Sequence, residues 1–469
     1  MSQRAPRTNP VAIVGAGLAG LSAAVTLAES GVTATVFEAS DRVGGRVHSG
    51  PEGYWDAGQT SEWCGELIDS GHGAIRELAG RFALRLIDMH ADGQGAPGET
   101  FHIGGAPYLR EEAERDFEAI RDELDRDLAA AGPETSWATS TKRGVELDRM
   151  SVRDWIETRV PGGSGSRLGR LLDVVYTAEY AADTTDQSAL NLVYMLGEQP
   201  PGGGFAPLGE SDERFHIEGG GERLVRALES RLVEPVELGA RVSAIWHEGG
   251  VPWLALEDGR RSSFDHILLA IPFAVLREID YRHAGFDERK REAIEQLGAG
   301  NSVKLALQFK DRHWLACDSD GSSAADAGYA TTWERTRGQS GGEGILVVFA
   351  GGSAPATGAV ERPRSDATSR AAYDYARESL EHLEPVYPGL TELWNEKASL
   401  SVPIRDPLKR CSYPYYRVGQ YHRFGGYEGV RSGNFHFAGD HCSQDLQGFM
   451  EGAVTEGQRA TREILGDLG

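Results

Sequence analysis

Hydrophobic positions along the chain change period several times, and each change marks an element. Val11-Ala12-Ile13-Val14 is a continuous apolar run closed by Gly15, the pattern of a strand buried on both faces. Leu18, Leu21, Ala24, Val25, Leu27 and Ala28 then recur at helical spacing until Gly31 ends the helix, and the β-branched stretch TATVFEA (33–39) predicts a second strand. Strand, helix, strand is a βαβ unit. From about 86 to 214 the texture shifts to glycine-rich loops (GQGAPG, PGGSGS, PGGG) between helical stretches. The clearest of these is EEAERDFEAIRDELDRDL, with Phe117, Ile120, Leu124 and Leu128 on one face and charge on the other. Strand-like runs return from Phe215 (VSAIW, WLALE, ILLAI), with the helix GGGERLVRALESRL among them; near Leu297 the pattern changes again to VKLALQF and ILVVFA.

Length and charge narrow the classes. A chain of 469 residues exceeds one hydrophobic core and predicts two or three domains. Its composition, 40% apolar and 25% charged, is globular, and no apolar run reaches the ~18 residues of a membrane helix. A formal net charge of −23 without a basic cluster disfavours nucleic acid and anionic lipid surfaces as partners. The polar opening MSQRAPRTNP lacks the apolar region of a secretory signal, so the expectation is a cytoplasmic protein. Four cysteines without a Cys-x-x-Cys pair predict neither a disulfide framework nor structural zinc, and the histidines show no metal spacing. There are only six lysines, so a lysine inside an apolar strand, such as Lys304, stands out.

Gly15, Gly17 and Gly20 form G-x-G-x-x-G between the first strand and its helix, and Glu38 closes the second strand. Such glycines let backbone approach a pyrophosphate at a helix N-terminus, and the acid accepts from a ribose hydroxyl. Asp41-Arg42-Val43-Gly44-Gly45-Arg46 follows at once, and Arg46 can neutralise a pyrophosphate, which favours FAD over NAD. Residues 11–47 resemble the N-terminus of the flavin-dependent amine oxidases, the family of monoamine, polyamine and L-amino-acid oxidases.

Three later segments carry the same resemblance. Phe437-Ala438-Gly439-Asp440, then Gln447-Gly448-Phe449-Met450, is similar to the family's C-terminal signature, in which a helix N-terminus, here with the Met450 N–H, meets the flavin. Gly219-Gly220-Gly221 and Ala240-Arg241-Val242 resemble the middle flavin-binding block, with Val242 towards the adenine. Asn301-Ser302-Val303-Lys304-Leu305 matches the strand whose lysine lies beneath the flavin ring; an edge-strand lysine reaching solvent is the plain alternative.

The resemblance implies an α/β fold with a Rossmann-like FAD-binding domain of the glutathione-reductase type (1–85, 215–290 and 400–469) and a discontinuous α+β substrate domain (86–214 and 291–399). It also implies hydride transfer from a carbon bearing an amine, giving an imine, with oxygen reduced to hydrogen peroxide. Cys411 lies at the spacing of the cysteine that carries covalent FAD in some monoamine oxidases, but Arg410 and Ser412 depart from its flanks, so a thioether and an ordinary thiol both stay open. Phe449 aligns with one ring of the family's aromatic pair and Ser412 with the other; Tyr413, Tyr415 and Tyr416 are candidates for the missing ring, and Tyr415 is carried as the site residue. Asp56-Ala57-Gly58 precedes Gln59 to Glu62 without the arginine that binds an amino-acid carboxylate, which leaves Arg214, Arg417 and Arg423 as substitutes. Glu62 and Glu66 suit a cationic second group on the substrate instead. The expected substrate is a primary amine or L-amino acid, and a homodimer is one candidate assembly. Two rivals remain: an FAD-dependent desaturase or porphyrinogen-type oxidase, and a non-catalytic flavin- or nucleotide-binding regulator.

Overall fold

A computed structural model of the protein describes residues 10–90, 98–200, 204–353 and 370–469. Most of two predicted glycine-rich loops (93–97 and 201–203) and the first nine residues of the polar opening lie outside the described residues.

Val11–Val14 is the hub of a four-stranded parallel sheet, with Ala34–Phe37 on one side and His266–Leu269, then Phe435–Phe437, on the other. Its residues are at most 4% exposed, which is why the sequence there is apolar without alternation. Leu18–Glu29 and the C-terminal helix Met450–Leu468 cover one face. They meet closely because Gly457 has no side chain: a Cβ there would lie 2.4 Å from the Ala19 carbonyl oxygen. Val242–Glu248, Val251–Leu256, Arg261–Ser263 and Asp280–His283 form a second small sheet, whose core residues Ile245 and Leu254 pack with Phe37 and Phe437.

The third sheet has seven strands in the order Trp394–Ser401, Ser302–Phe309, Gly344–Gly351, Thr331–Glu334, Ser323–Ala325, Thr100–His102 and Pro107–Tyr108. A helical block (Arg110–Ala131, Val152–Arg159, Arg167–Glu179, Ala189–Gly197) has its own core around Phe117, Trp155, Tyr176 and Phe205. Ser302–Phe309 is no edge strand. It pairs with Gly344–Gly351 and Trp394–Ser401, and all eight of its residues are buried, Lys304 at 6% exposure included. Leu86–Asp88 pairs with Phe215–Ile217, so that one short ribbon straddles two of the boundaries drawn from texture.

Candidate active site

A cavity of about 950 Å³ is lined by the C-terminal ends of the parallel strands and by residues of the seven-stranded sheet and helical block. The first set begins with the glycine loop. Gly15 stands at φ +100°, and a Cβ would lie 2.7 Å from the Ala270 carbonyl; one on Gly20 would lie 2.0 Å from the Gly15 carbonyl. Gly17 differs, with nothing within 4 Å of a Cβ, so its bare backbone leaves open space at the N-terminus of Leu18–Glu29. Glu38 is fixed at its strand end by Ala16 N (2.8 Å), Ser40 N (2.9 Å) and the Ser40 hydroxyl (2.8 Å). Val242, Gly439 and Met450 also line the cavity, and Met450 opens a 19-residue helix whose first N–H groups have no intrahelical partner.

Arg46 and Asp440 were separate expectations, and the fold makes them one unit. The guanidinium donates to both carboxylate oxygens and, at 2.9 Å, to the Ser412 carbonyl. Burial opposes the charge on Arg46, but Asp440 outweighs it and raises the guanidinium above its ordinary value.

The Ser412 hydroxyl, both ring nitrogens of His441 and the Gln447 amide nitrogen are buried at this cavity without a hydrogen-bond partner among the described residues. Buried polar groups are seldom left so, and a polar dinucleotide in the cavity supplies partners. Together with the uncovered Gly17 backbone, they fit FAD.

Cys411 does not line this cavity. It is 3% exposed, beside Phe273 and Pro414, and its thiol donates to the Lys409 carbonyl at 3.5 Å; burial pushes it up to about 11. Arg410 before it sits at φ +55°, a left-handed backbone that glycine adopts without strain. This placement does not support a thioether.

The second set of lining residues contains Lys304, Phe449, Ser412, Tyr413, Tyr180, Trp333 and Phe349. Tyr415 is absent from it, which corrects that expectation. Its ring lies over Gly298, where a Cβ would come within 2.6 Å of it, and its hydroxyl contacts Asp186 and Arg417. The strand there is only Pro414–Tyr415, too short to keep 413 and 415 on one face. Tyr413 faces the cavity instead and donates to the Ala178 carbonyl at 2.7 Å, whereas Tyr416 is in the core, 4.2 Å from the Tyr421 ring.

The charges here are mainly negative. Glu66, Asp69, Glu179 and Glu213 line the cavity. Burial and then Asp69 raise Glu179 to about 7; burial, then Glu179, Asp69 and Glu66, raise Glu213 to about 8. Arg214, Arg417 and Arg423 are paired elsewhere, with Asp88, Asp186 and Glu292. Among the described residues, the arginines that line the cavity are Arg42, Arg46 and Arg241, all from nucleotide-binding segments. Glu62 is not a lining residue: it accepts from Gly221 N at 2.9 Å and faces the fully buried Arg335 at 3.5 Å.

Lys304 donates to the Cys64 carbonyl at 3.0 Å and contacts the Glu66 carboxylate, whose other oxygen accepts from Trp333 Nε1 at 3.1 Å. Sequence reasoning missed Asp69, Glu179, Glu213, Trp333 and Arg335, none of which sits in a recognisable motif. It also saw no metal spacing, yet the fold brings His266, His436 and Asp467 together, with ligand atoms within 4.8 Å; none of them lines the cavity.

A family model described as flavin containing amine oxidoreductase matches residues 18–465. The chain is 24% identical over 470 residues to a probable flavin-containing monoamine oxidase A of Dictyostelium discoideum, covering 98% of both proteins. It is also 24% identical over 469 residues to a putative flavin-containing monoamine oxidase, AofH, of Mycobacterium tuberculosis, covering 98% of this chain and 97% of that one. Among solved structures, putrescine oxidase bound to putrescine superposes with a TM-score of 0.81 at 21% identity, and cyclohexylamine oxidase from Brevibacterium oxydans with 0.82 at 20%. Each superposition covers 98% of this chain and 99% of the other.

Proposed function

Because the chain belongs to the flavin-containing amine oxidoreductase family, whose cofactor is FAD, we propose that it oxidises a primary amine carrying a second cationic group, with oxygen as electron acceptor and hydrogen peroxide as product. Gly15, Gly17 and Gly20 would admit the pyrophosphate, Glu38 the ribose, Val242 the adenine, and Arg46, held by Asp440, the phosphate charge. FAD, when bound, accepts the electrons of the amine carbon and passes them to oxygen.

The chain's own residues select and place the amine. Phe449 and Tyr413 offer aromatic faces to it, and Trp333, Phe349 and Tyr180 exclude water around it. One observation carries the substrate class: Asp69, Glu179 and Glu213 line the cavity, and no arginine outside the nucleotide-binding segments lines it among the described residues. Carboxylates that repel one another are relieved by a cation among them, whereas the lysines an amino-acid carboxylate would meet, Lys304 and Lys409 among the described residues, are already in contact with Glu66 and Asp406. The putrescine bound in one structural neighbour is a diamine of the class this reading requires. Lys304 is assigned to the oxidative step, as a fixed positive charge beside the reduced cofactor.

The test compares an α,ω-diamine, the monoamine of equal length and the corresponding L-amino acid by peroxide release and anaerobic flavin bleaching. The diamine is expected to exceed the monoamine by about tenfold or more in kcat/KM, an ion-pair contribution of order 1–2 kcal/mol. An L-amino acid that reacts as well as the diamine defeats the reading.

A further inference from the structure

An ammonium group has three N–H donors, and two of those on Lys304 are committed to the protein. One goes to the Cys64 carbonyl at 3.0 Å and one to Glu66 Oε2. Glu66 is itself held from behind. Its Oε1 accepts from Trp333 Nε1 at 3.1 Å and stands 3.2 Å from Arg335 Nε, and Arg335 faces Glu62 at 3.5 Å with Gly221 N closing the chain. Two carboxylates and two cations are thus balanced out of reach of bulk water: Arg335 is 0% exposed, Glu62 3%, Lys304 6% and Glu66 8%. Burial alone would push the Glu66 carboxyl up, but Lys304 and Arg335 outweigh it and hold it below the usual range; Glu62, less well compensated, stays above.

We propose that Glu66 is a positioning residue for Lys304. Together with the Cys64 carbonyl it fixes two legs of the ammonium tripod, so that the third N–H is aimed into the cavity, and Arg335 and Trp333 keep Glu66 from turning towards the substrate. This distinguishes Glu66 from Asp69, Glu179 and Glu213, which lie outside this ion network. The inference rests on the assignment of Lys304 to the oxidative step.

The test is a double-variant cycle on the FAD-loaded enzyme, with amine reduction and oxygen reoxidation timed separately. Glu66→Gln is expected to slow reoxidation by on the order of tenfold to hundredfold, the effect of losing a fixed geometry, and to change the diamine KM by no more than about twofold. Glu66→Gln/Lys304→Met should then be within about twofold of Lys304→Met alone, because Glu66 acts through that lysine. Glu66→Asp, which keeps the charge one methylene further back, should show the same pattern at smaller amplitude, so the cycle survives a folding defect in the amide variant. A readout independent of turnover is amine labelling of the apoprotein followed by peptide mass spectrometry: Lys304 should react faster in Glu66→Gln while Lys409 in the same cavity does not. Additive slowing, or a raised diamine KM with unchanged reoxidation, overturns the proposal. A Lys304→Met enzyme that reoxidises normally would overturn the assignment of Lys304 and this inference with it.

Discussion

Arg46 and Asp440 are 394 residues apart in sequence and form a two-pronged ion pair, with Nη1 2.8 Å from Oδ2, that joins the glycine loop to the turn before the C-terminal helix. Asp440 is the more deeply buried partner, its side chain 7% exposed against 21% for Arg46. Replacing it leaves an uncompensated guanidinium at the pyrophosphate position. Asp440→Ala should therefore cost about 3 kcal/mol in stability and release FAD, read as a lower Tm and a raised FAD Kd from flavin fluorescence. Unchanged FAD affinity would mean that the pair braces the fold without shaping the cofactor site.

Cys411 lies outside the cavity with a thiol pushed up to about 11, a poor position and a poor state for forming a thioether. Denaturation of the yellow protein with acid should leave the flavin in the supernatant, and Cys411→Ala should change this in no way while costing about 1 kcal/mol for the buried sulfur. Flavin that pellets with wild-type protein but not with the alanine variant would establish the covalent bond.

What the sequence revealed and what it hid divide by range. The nucleotide loop was legible because its constraints are local: Gly15 and Gly20 face backbone a few residues away or in the neighbouring strand, and each can be argued from a turn. Lys304 was legible through a lysine-poor composition and an apolar strand, although its place in the middle of the sheet depended on partners at Phe349 and Ser401. The Glu62–Arg335–Glu66–Lys304 cluster was not, because Trp333 and Glu66 are 267 residues apart and nothing in WCGEL or TTWER announces the other. The choice among Tyr413, Tyr415 and Tyr416 was not legible either, because three tyrosines within four residues are separated only by tertiary packing, which sets the Tyr415 ring against Gly298.

On the proposed diamine reading, Glu179 and Glu213 would give the substrate site a pH dependence. A second cation on the amine requires them ionised, and they stand at about 7 and about 8 before it arrives. The KM for a diamine should fall as pH rises through that window, and the KM for a monoamine should follow the same limb only weakly. In the substrate-free protein the sign for stability is reversed. A carboxyl whose folded value lies above the ordinary 4.5 binds its proton more tightly when folded, so its contribution is full at low pH and is lost as pH rises towards 8. Glu213→Gln should raise Tm at pH 8 by an amount equivalent to about 1–3 kcal/mol, leave it unchanged near pH 4, and raise the diamine KM. A variant less stable at pH 8 than the parent would contradict this account.

Tyr413 and Tyr415 allow the aromatic assignment to be tested within three residues. Both hydroxyls have partners, Tyr413 the Ala178 carbonyl at 2.7 Å and Tyr415 the Asp186 carboxylate, so either change to Phe should cost about 1 kcal/mol in stability through one lost hydrogen bond. Of the two, only Tyr413 lines the cavity. Tyr413→Ala should lower kcat/KM by on the order of tenfold to hundredfold through the lost ring face, and Tyr413→Phe should keep nearly full activity because the ring remains. Tyr415→Phe should melt earlier yet turn over normally, since its ring lies against Gly298 outside the cavity. Ser412→Tyr adds a second ring beside Tyr413, where Gly300 leaves only 3.0 Å between a Cβ and the Ser412 hydroxyl, and should impair bulky amines more than slender diamines. If Tyr415→Phe instead loses activity at unchanged Tm while Tyr413→Ala retains it, the aromatic wall belongs to Tyr415 and the cavity has been assigned to the wrong side of the Pro414–Tyr415 strand.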